Sequence, residues 1–314
     1  MGGLFMGIAK ALPGSLAEGL IWGIMALGVF ITFKILDYAD LTVDSSMCTG
    51  GAVSAILITN GMNPLASLAF SLMAGMAAGA VTGLLHTKLK IPAILSGILT
   101  QLALYSINLR IMGKPNLSLL NKPGLLSLGN IWGAILVAGI FVLIVMVALY
   151  WFFGTEIGSA VRATGNNAHM VRALGVNTDS MKVLALVLSN GLVALAGGLM
   201  AQFKGNADIN MSRGAIVIGL ASVIIGEVIF GSRFNFAYKL GSIVAGSVIY
   251  YIIIAVVLQL GLGTSDLKLF SAIVVALALA LPVLQAKVRT NANTKKNNLA
   301  LQQTLDGEEA NDNA

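Results

Sequence analysis

Long apolar runs separated by short polar connections make up most of the chain. A run of about 18 to 25 apolar residues is long enough to cross a bilayer as a helix. Polar residues at 42–46 interrupt the second such run, and Glu227 with several glycines interrupts the seventh, so we expect broken or re-entrant helices there. In all, the pattern predicts nine spans, near residues 15–36, 41–60, 64–86, 91–109, 128–153, 182–203, 214–231, 239–260 and 267–285.

The longest polar interruption, residues 154–182, carries the signals of a short helix. Asn166 and Asn167 are good N-cap residues, and Gly175 supplies a left-handed stop about two turns later. Asn177 can then cap the apolar helix that follows. The residues alone leave a second interpretation open, in which this stretch is a solvated loop with an incidental helical turn.

If the helix forms, it has two different faces. Met170, Val171 and Leu174 would present an apolar surface to a partner, while His169 and Arg172 would hydrogen-bond from its rim. The stretch is therefore predicted to be a docking element.

The composition is that of a membrane protein. Of 314 residues, 57% are hydrophobic and only 10% are charged, against about 25% charged in soluble domains. The mean hydropathy is +0.89. We attribute the net charge of +6 to loops near lipid headgroups, because no basic and aromatic patch typical of nucleic-acid binding is visible.

The distribution of basic residues predicts the orientation. If residues 154–182 are cytoplasmic, alternation of the spans places 12 of the 19 lysines and arginines inside and 7 outside. The N-terminus is then external, or internal if residues 1–14 make an additional partial crossing. We expect it to be retained, since no signal-peptide cleavage site follows. The sequence thus predicts a membrane domain at 1–285 and a disordered cytoplasmic tail at 286–314, with an ordered external loop at 113–126.

Candidate catalytic and metal-binding residues are few. Cys48 is the single cysteine, and neither His86 nor His169 belongs to a metal-ligand pattern, so we expect no metal and no cofactor. The sequence has no phosphate-binding loop, no nucleophile elbow and no zinc-hydrolase motif. We therefore expect that the chain is not an enzyme.

The polar segment at 40–46 is the strongest candidate for a translocation path. Charged groups at membrane depth are costly and usually functional. In the alternative interpretation, Asp37 and Asp40 lie in the headgroup layer and only Asp44 is partly buried. The candidate path residues are Asp40, Thr42, Asp44, Ser45 and Ser46.

Other polar and small residues have plainer interpretations. Glu227 and Arg233 are candidates for a second cytoplasmic contact or for a salt bridge with each other, and simple placement of Glu227 at the membrane interface is the alternative. Gly75, Gly79 and Gly83 form a stripe that allows a neighbouring helix to approach closely. Single amides in apolar helices usually hydrogen-bond between helices, although one or two could line a path: Asn60, Gln101, Asn108, Asn190 and Gln259.

Two stretches resemble ABC importer permeases of the branched-chain amino acid and ribose type. Residues 154–182 are similar to the cytoplasmic coupling loop of that family, with the pattern G-x-x-x-R-A-x-G-x-N followed by a two-turn helix and G-I/V-N. Residues 40–46 resemble its D-L-S-V-G-S segment, with Asp44 in place of glycine. The resemblance implies a coupling role for Arg162, Gly165, Asn166, Asn167, His169, Met170, Val171, Arg172, Leu174 and Gly175.

The resemblance implies an all-helical permease in a bacterial inner membrane. Its expected partners are a second permease copy or a similar chain, two cytoplasmic ATPase subunits and an extracytoplasmic binding protein. A lone permease of this type resembles the tryptophan/tyrosine branch more than the paired branched-chain permeases, so an amino acid is the expected solute, with a sugar or nucleoside as the alternative. An ion-coupled secondary transporter or a membrane scaffold are the other function classes, and the former would need a carboxylate such as Asp44.

Overall fold

The protein is mostly helical over the residues that the structure describes. The computed structural model describes residues 2–259, apart from 121, 123, 127, 128 and 232–234, together with positions 269, 272, 273, 275–277 and 280. The predicted ninth span and the tail at 286–314 therefore lie almost wholly outside the described residues. The helices are α1 (Gly2–Phe30) with a π-helical continuation (Ile31–Ile35), α2 (Val43–Thr59), α3 (Pro64–Thr87), α4 (Ala93–Met112), α5 (Ile131–Gly154), α6 (Glu156–Asn166), α7 (Ala168–Ala173), α8 (Thr178–Lys204), α9 (Ala215–Phe230) and α10 (Phe236–Gln259).

The long helices match the predicted membrane spans. Six stretches in the described part of the chain are long and apolar enough to cross a bilayer, whereas α2 and α9 are shorter, with 17 and 16 residues. These two are the spans that the sequence marks as interrupted. Each is a continuous helix, and in α2 the interruption is the non-helical chain at residues 36–42 that precedes it. The six long stretches are Ala11–Ile35, Pro64–Thr87, Ala93–Met112, Ile131–Gly154, Thr178–Lys204 and Phe236–Gln259.

Helix α8 forms the centre of the bundle and packs against α1, α2 and α3. The stripe of glycines on α3 faces it: a Cβ on Gly75 or Gly79 would overlap the carbonyl oxygens of Asn190 or Leu186 on α8. Only glycine permits this backbone approach, so the predicted packing role of the stripe is confirmed. On the other side of the bundle, α1 packs against α5, α9 and α10.

The outward faces of α3, α4 and α5 are covered with apolar side chains. Met73, Ile94, Leu136 and Trp151 are all more than half exposed. Exposed apolar surface of this extent is unfavourable in water and suits contact with lipid tails or with another membrane protein.

A small β-sheet corrects the prediction that the membrane domain contains only helices and loops. Strands β1 (Asn116–Ser118) and β2 (Asn206–Asp208) pair antiparallel, with Leu117 opposite Ala207. Both of these side chains are buried, in a cluster with Cys48 and Ala52 of α2. The strands form because two loops at the end predicted to be external meet over this cluster, where their backbone N–H and C=O groups need partners. Three-residue strands carry no periodicity that a sequence pattern could reveal.

Candidate coupling and translocation sites

Residues 154–182 fold into two consecutive capped helices. The hydroxyl of Thr155 accepts a hydrogen bond from the Gly158 N–H (3.2 Å) and begins α6, and the side-chain oxygen of Asn167 accepts one from the Met170 N–H (3.0 Å) and begins α7. Gly175 ends the segment with φ of 85°. The predicted capped helix is therefore present and the solvated loop is not. Its cap is Asn167, because Asn166 is the last residue of α6.

The apolar face of α7 is only partly the one predicted. Met170 and Leu174 are 49% and 73% exposed, but Val171 is 2% exposed, so the prediction that Val171 is available to a partner is wrong. The reason is that α7 lies against α6 and α8, and these contacts cover the inward side of so short a helix. His169 is exposed beside Met170, as expected.

Arg172 is tied to its own chain. Its guanidinium donates a hydrogen bond to the Thr178 hydroxyl (2.8 Å) and lies 3.7 Å from a carboxylate oxygen of Asp179. The ammonium of Lys90, between α3 and α4, lies 4.0 Å from the same carboxylate. These contacts hold α7 at a fixed angle to α8 and bring the α3–α4 connection to the same surface.

Arg162 and Gly165 hold the segment against the rest of the bundle. The guanidinium of Arg162 donates to the Phe153 carbonyl (2.7 Å) and lies 5.7 Å from the centre of the Phe236 ring. A Cβ on Gly165 would overlap the carbonyl oxygen of Ile35, so glycine is needed where α6 meets the π-helical turn. Arg162 and Gly165 also line an open cavity of about 680 Å³ at this surface.

Three of the five candidate path residues take part in one buried hydrogen-bond network. Asp40 is 2% exposed, and its carboxylate accepts hydrogen bonds from the Thr42 N–H (2.9 Å) and from the amide of Asn190 on α8 (2.7 Å). The Ser46 hydroxyl donates to the same amide group's oxygen (2.6 Å), and the Thr42 and Thr82 hydroxyls are 2.8 Å apart. This network joins α2, α3 and α8. Asp40 is thus buried within the protein, whereas Asp37 is exposed.

Asp44 caps a helix of another part of the chain. Helix α9 begins after Gly214, which has no side chain to cap it, and the Asp44 carboxylate accepts hydrogen bonds from the Gly214 N–H (3.1 Å) and the Ile216 N–H (3.0 Å) instead. A carboxylate is well suited to this position, because the N-terminus of a helix carries a partial positive charge.

Asp44 and Ser45 also border an open cavity of about 190 Å³, which we call the α2–α4 cavity. A second wall comes from α4, near its middle and towards its outer end, and a third from the segment before α9. Polar side chains from three parts of the chain thus meet at one small cavity. Besides Asp44 and Ser45, the polar side chains that line the cavity include Gln101, Tyr105, Asn108 and Arg213.

Glu227 forms an ion pair that the sequence pattern does not predict. Its carboxylate lies 2.9 Å from the ammonium of Lys34 in the π-helical turn. The predicted partner, Arg233, lies outside the described residues. Because the pair joins α9 to the end of α1, Glu227 has a structural role irrespective of any second contact with another subunit.

Comparison with known proteins identifies the kind of transporter. The sequence profile of a family described as the permease component of branched-chain amino acid transport systems matches residues 12–284. The chain belongs to this family. The permease is therefore a multi-pass protein of the bacterial inner membrane that imports a small solute. It is not an enzyme: separate ATPase subunits hydrolyse ATP, and a binding protein delivers the solute.

Individual relatives of the permease cover most of its length. It is 44% identical to a tyrosine transport system permease protein of Clostridioides difficile, over 88% of this chain and 93% of the relative. It is 35% identical to an uncharacterized protein of Rickettsia prowazekii, over 85% and 95%. An autoinducer 2 import system permease of Yersinia pseudotuberculosis is 30% identical over 60% of this chain and 54% of the relative. No solved structure matches.

Sequence reasoning about the permease missed part of the α2–α4 cavity. In the sequence, Gln101 and Asn108 appear as isolated amides that nothing connects to Asp44, and no motif marks Arg213. The amides of Gln101 and Asn108 within an apolar helix were the available signal for a polar site on α4. The pattern does not show that their side chains face α2, because the polar residues of α4 are spread around the helix.

Proposed function

We propose that the permease imports an amino acid and that the tip of α7, formed by Met170 and Leu174, docks into an ATPase subunit. The Clostridioides difficile relative, which is named for tyrosine transport, supports an amino acid as the solute. The autoinducer 2 relative is less similar and covers less of the chain, so a sugar-like solute is the second candidate.

The observation that carries the docking proposal is the pair of exposed apolar side chains on a fixed helix. Asn167 caps α7, Arg172 ties it to α8, and Val171 anchors its inner side, so Met170 and Leu174 project from a rigid support. Exposed apolar side chains at a cytoplasmic surface are unfavourable unless a partner covers them. A preorganised helix can enter a partner's groove with little loss of conformational entropy.

The remaining architecture belongs to the same proposal. Two copies form a homodimer within the bilayer through part of the apolar outer surface, and residues 1–285 constitute the membrane domain of each copy. The second span is broken or re-entrant, an arrangement that the short α2 and the non-helical residues 36–42 before it support. Residues 286–314 form a cytoplasmic tail.

An ion-coupled mechanism is less well supported. Such a transporter needs a carboxylate that is free to bind and release an ion. The Asp40 carboxylate accepts hydrogen bonds from Thr42 and Asn190, and the Asp44 carboxylate accepts two from backbone N–H groups at the start of α9. Each carboxylate thus holds separate parts of the chain together, although the Asp44 oxygens keep lone pairs that the fold does not use.

The docking proposal is tested by changing the tip of α7. The permease is co-expressed with its ATPase and binding protein, purified and reconstituted in liposomes. Met170→Asp and Leu174→Ala should weaken retention of the ATPase roughly 30-fold, because truncating a buried anchor costs about 2 kcal/mol. ATP hydrolysis that depends on the loaded binding protein should fall in parallel. Arg172→Gln should have a smaller, salt-sensitive effect.

The matched control is Leu120→Asp, since Leu120 is 78% exposed in the predicted external loop. It should leave ATPase retention unchanged. Undiminished retention with Met170→Asp would reject the docking site. The solute is tested separately, by measuring uptake of radiolabelled tyrosine, leucine and ribose into the same liposomes; uptake of ribose alone would reject the amino acid.

A further inference from the structure

The α2–α4 cavity contains a buried acceptor without a partner. Asn108 is 0% exposed, and its amide nitrogen donates a long hydrogen bond to the Ser45 carbonyl (3.4 Å). Its side-chain oxygen accepts no hydrogen bond from any group in the described part of the chain. An unsatisfied buried acceptor costs about 1–3 kcal/mol, so this atom is a favourable position for an incoming donor.

A cation without a counter-ion lies on another wall of the same cavity. Arg213 is exposed, and its guanidinium forms no ion pair with the described residues, Asp44 included. A guanidinium binds a carboxylate through two parallel hydrogen bonds, which makes it the preferred side chain for this group. The cavity therefore offers a site for an anion as well as a site for a donor.

The carboxylate of Asp44 determines which kind of donor the site at Asn108 favours. The N–H groups of Gly214 and Ile216 use about two of the four lone-pair positions of this carboxylate, and the Ala215 N–H adds a further contact, so the carboxylate is not fully used by the fold. The negative charge favours a cationic donor near Asn108, because both residues line the same small cavity. Leu102 and Tyr105 of α4 add exposed apolar surface at 64% and 42%.

From this arrangement we infer that the α2–α4 cavity binds the transported solute as a zwitterion, with its carboxylate on Arg213, its ammonium group towards Asn108 and Asp44, and its side chain along Leu102 and Tyr105. The inference rests on the proposal that the solute is an amino acid. An uncharged sugar would leave Arg213 without a counter-ion, and an inorganic cation would be repelled by it. The cavity thus selects the two charges common to all amino acids, while Leu102 and Tyr105 favour an apolar or aromatic side chain.

Protection of a cysteine in the cavity provides a direct test. The full-length permease carries Leu102→Cys in a Cys48→Ala background, and labelling by a maleimide is followed in detergent with and without free tyrosine. Tyrosine should slow the labelling. Tyramine, which lacks the carboxylate, and 3-(4-hydroxyphenyl)propionate, which lacks the ammonium group, should protect much less at the same concentration, as should ribose.

Variants of the charged wall test the assigned contact. Arg213→Gln should raise the tyrosine concentration needed for half-protection roughly tenfold or more, the expected loss for a hydrogen bond to a charged group. Arg213→Lys keeps the charge without the fork and should give an intermediate value. Arg110→Gln, which changes an exposed arginine at the end of α4 that does not line the cavity, should change nothing.

A second cysteine position tests whether protection is local. Leu99→Cys, on α4 outside the cavity lining and 42% exposed, should be labelled at the same rate with and without tyrosine. Absence of protection at Leu102→Cys, equal protection by tyramine, or full protection in Arg213→Gln would overturn the inference. If the unmodified permease still takes up tyrosine, any of these results rejects only the cavity as the binding site, and the proposed function stands. If it takes up ribose alone, the proposed function and the inference about the cavity both fail.

Discussion

At the scale of single residues, the interior carboxylates of this permease serve as acceptors that join separate helices. Asp40 accepts hydrogen bonds from Thr42 and Asn190, and Asp44 accepts them from the first turn of α9. A charge at membrane depth normally indicates function. Here each charge is satisfied by oriented N–H groups, so a structural role accounts for Asp40 completely and for Asp44 in large part.

The capping role of Asp44 predicts a loss of stability in a near-isosteric variant. Asp44→Asn removes the charge and turns one acceptor into a donor that faces backbone N–H groups. We expect a loss of about 1–2 kcal/mol, the usual cost of losing a helix cap. The measurement is thermal unfolding of the purified permease in detergent. Asp37→Asn is the control, because Asp37 is exposed and its side chain forms no hydrogen bond with a described residue; unchanged stability together with lost transport would point to a transported proton or ion instead.

At the scale of elements, the short helices depend on their caps and neighbours more than on their own length. A helix of six residues such as α7 is far below the length at which helices are stable in isolation. Its order comes from the Asn167 cap, the left-handed Gly175 and the bond from Arg172 to Thr178. Weakening any of these should loosen the helix without disturbing the membrane bundle.

Removal of the Asn167 cap provides the corresponding prediction. Asn167→Ala should cost about 1 kcal/mol of helix stability and so weaken ATPase retention about fivefold. Retention is measured by co-purification over a titration of the ATPase. Asn63→Ala removes the corresponding cap of α3, at the end of the bundle predicted to be external, and should have no effect. Equal loss in the two variants would contradict a specific role for the cap.

The sequence predicts those elements whose signal is local. The caps at Asn167 and Asn177 and the stop at Gly175 depend on a few neighbouring residues, so they can be read directly. Helix α6 escapes prediction because it is half polar and contains two glycines, although Thr155 is a visible cap signal. The burial of Val171, the pairing of β1 with β2 and the α2–α4 cavity arise from contacts between distant segments, which no local pattern reveals.

At the scale of the whole molecule, polar features gather at the two ends of an apolar bundle. One end carries α6, α7 and the pair of Lys34 with Glu227, and the other carries the two-stranded sheet. The excess of basic residues predicts that the first end is cytoplasmic. The outer surface between the two ends is apolar, as expected for a protein in contact with lipid.

Cysteine labelling in intact cells tests this orientation. In a Cys48→Ala background, Asn166→Cys should react with a membrane-impermeant maleimide only after the cells are permeabilised. Leu120 lies in the loop that carries β1, and its side chain is 78% exposed. Leu120→Cys should therefore react in intact cells. A cytoplasmic marker protein that stays unlabelled shows that the membrane is intact. The reverse pattern of labelling would invert the topology.

The glycine contacts between α3 and α8 have a consequence for how force travels through the permease. Backbones that meet without intervening side chains cannot slide along each other without steric overlap, so these two helices should shift as a single lever. Helix α7 is joined to α8 by only four residues, and Arg172 braces that joint. A displacement imposed on α7 is thus transmitted to the lever as a tilt of the rigid pair, and the opening of the pathway has to occur where the pair meets more compliant neighbours.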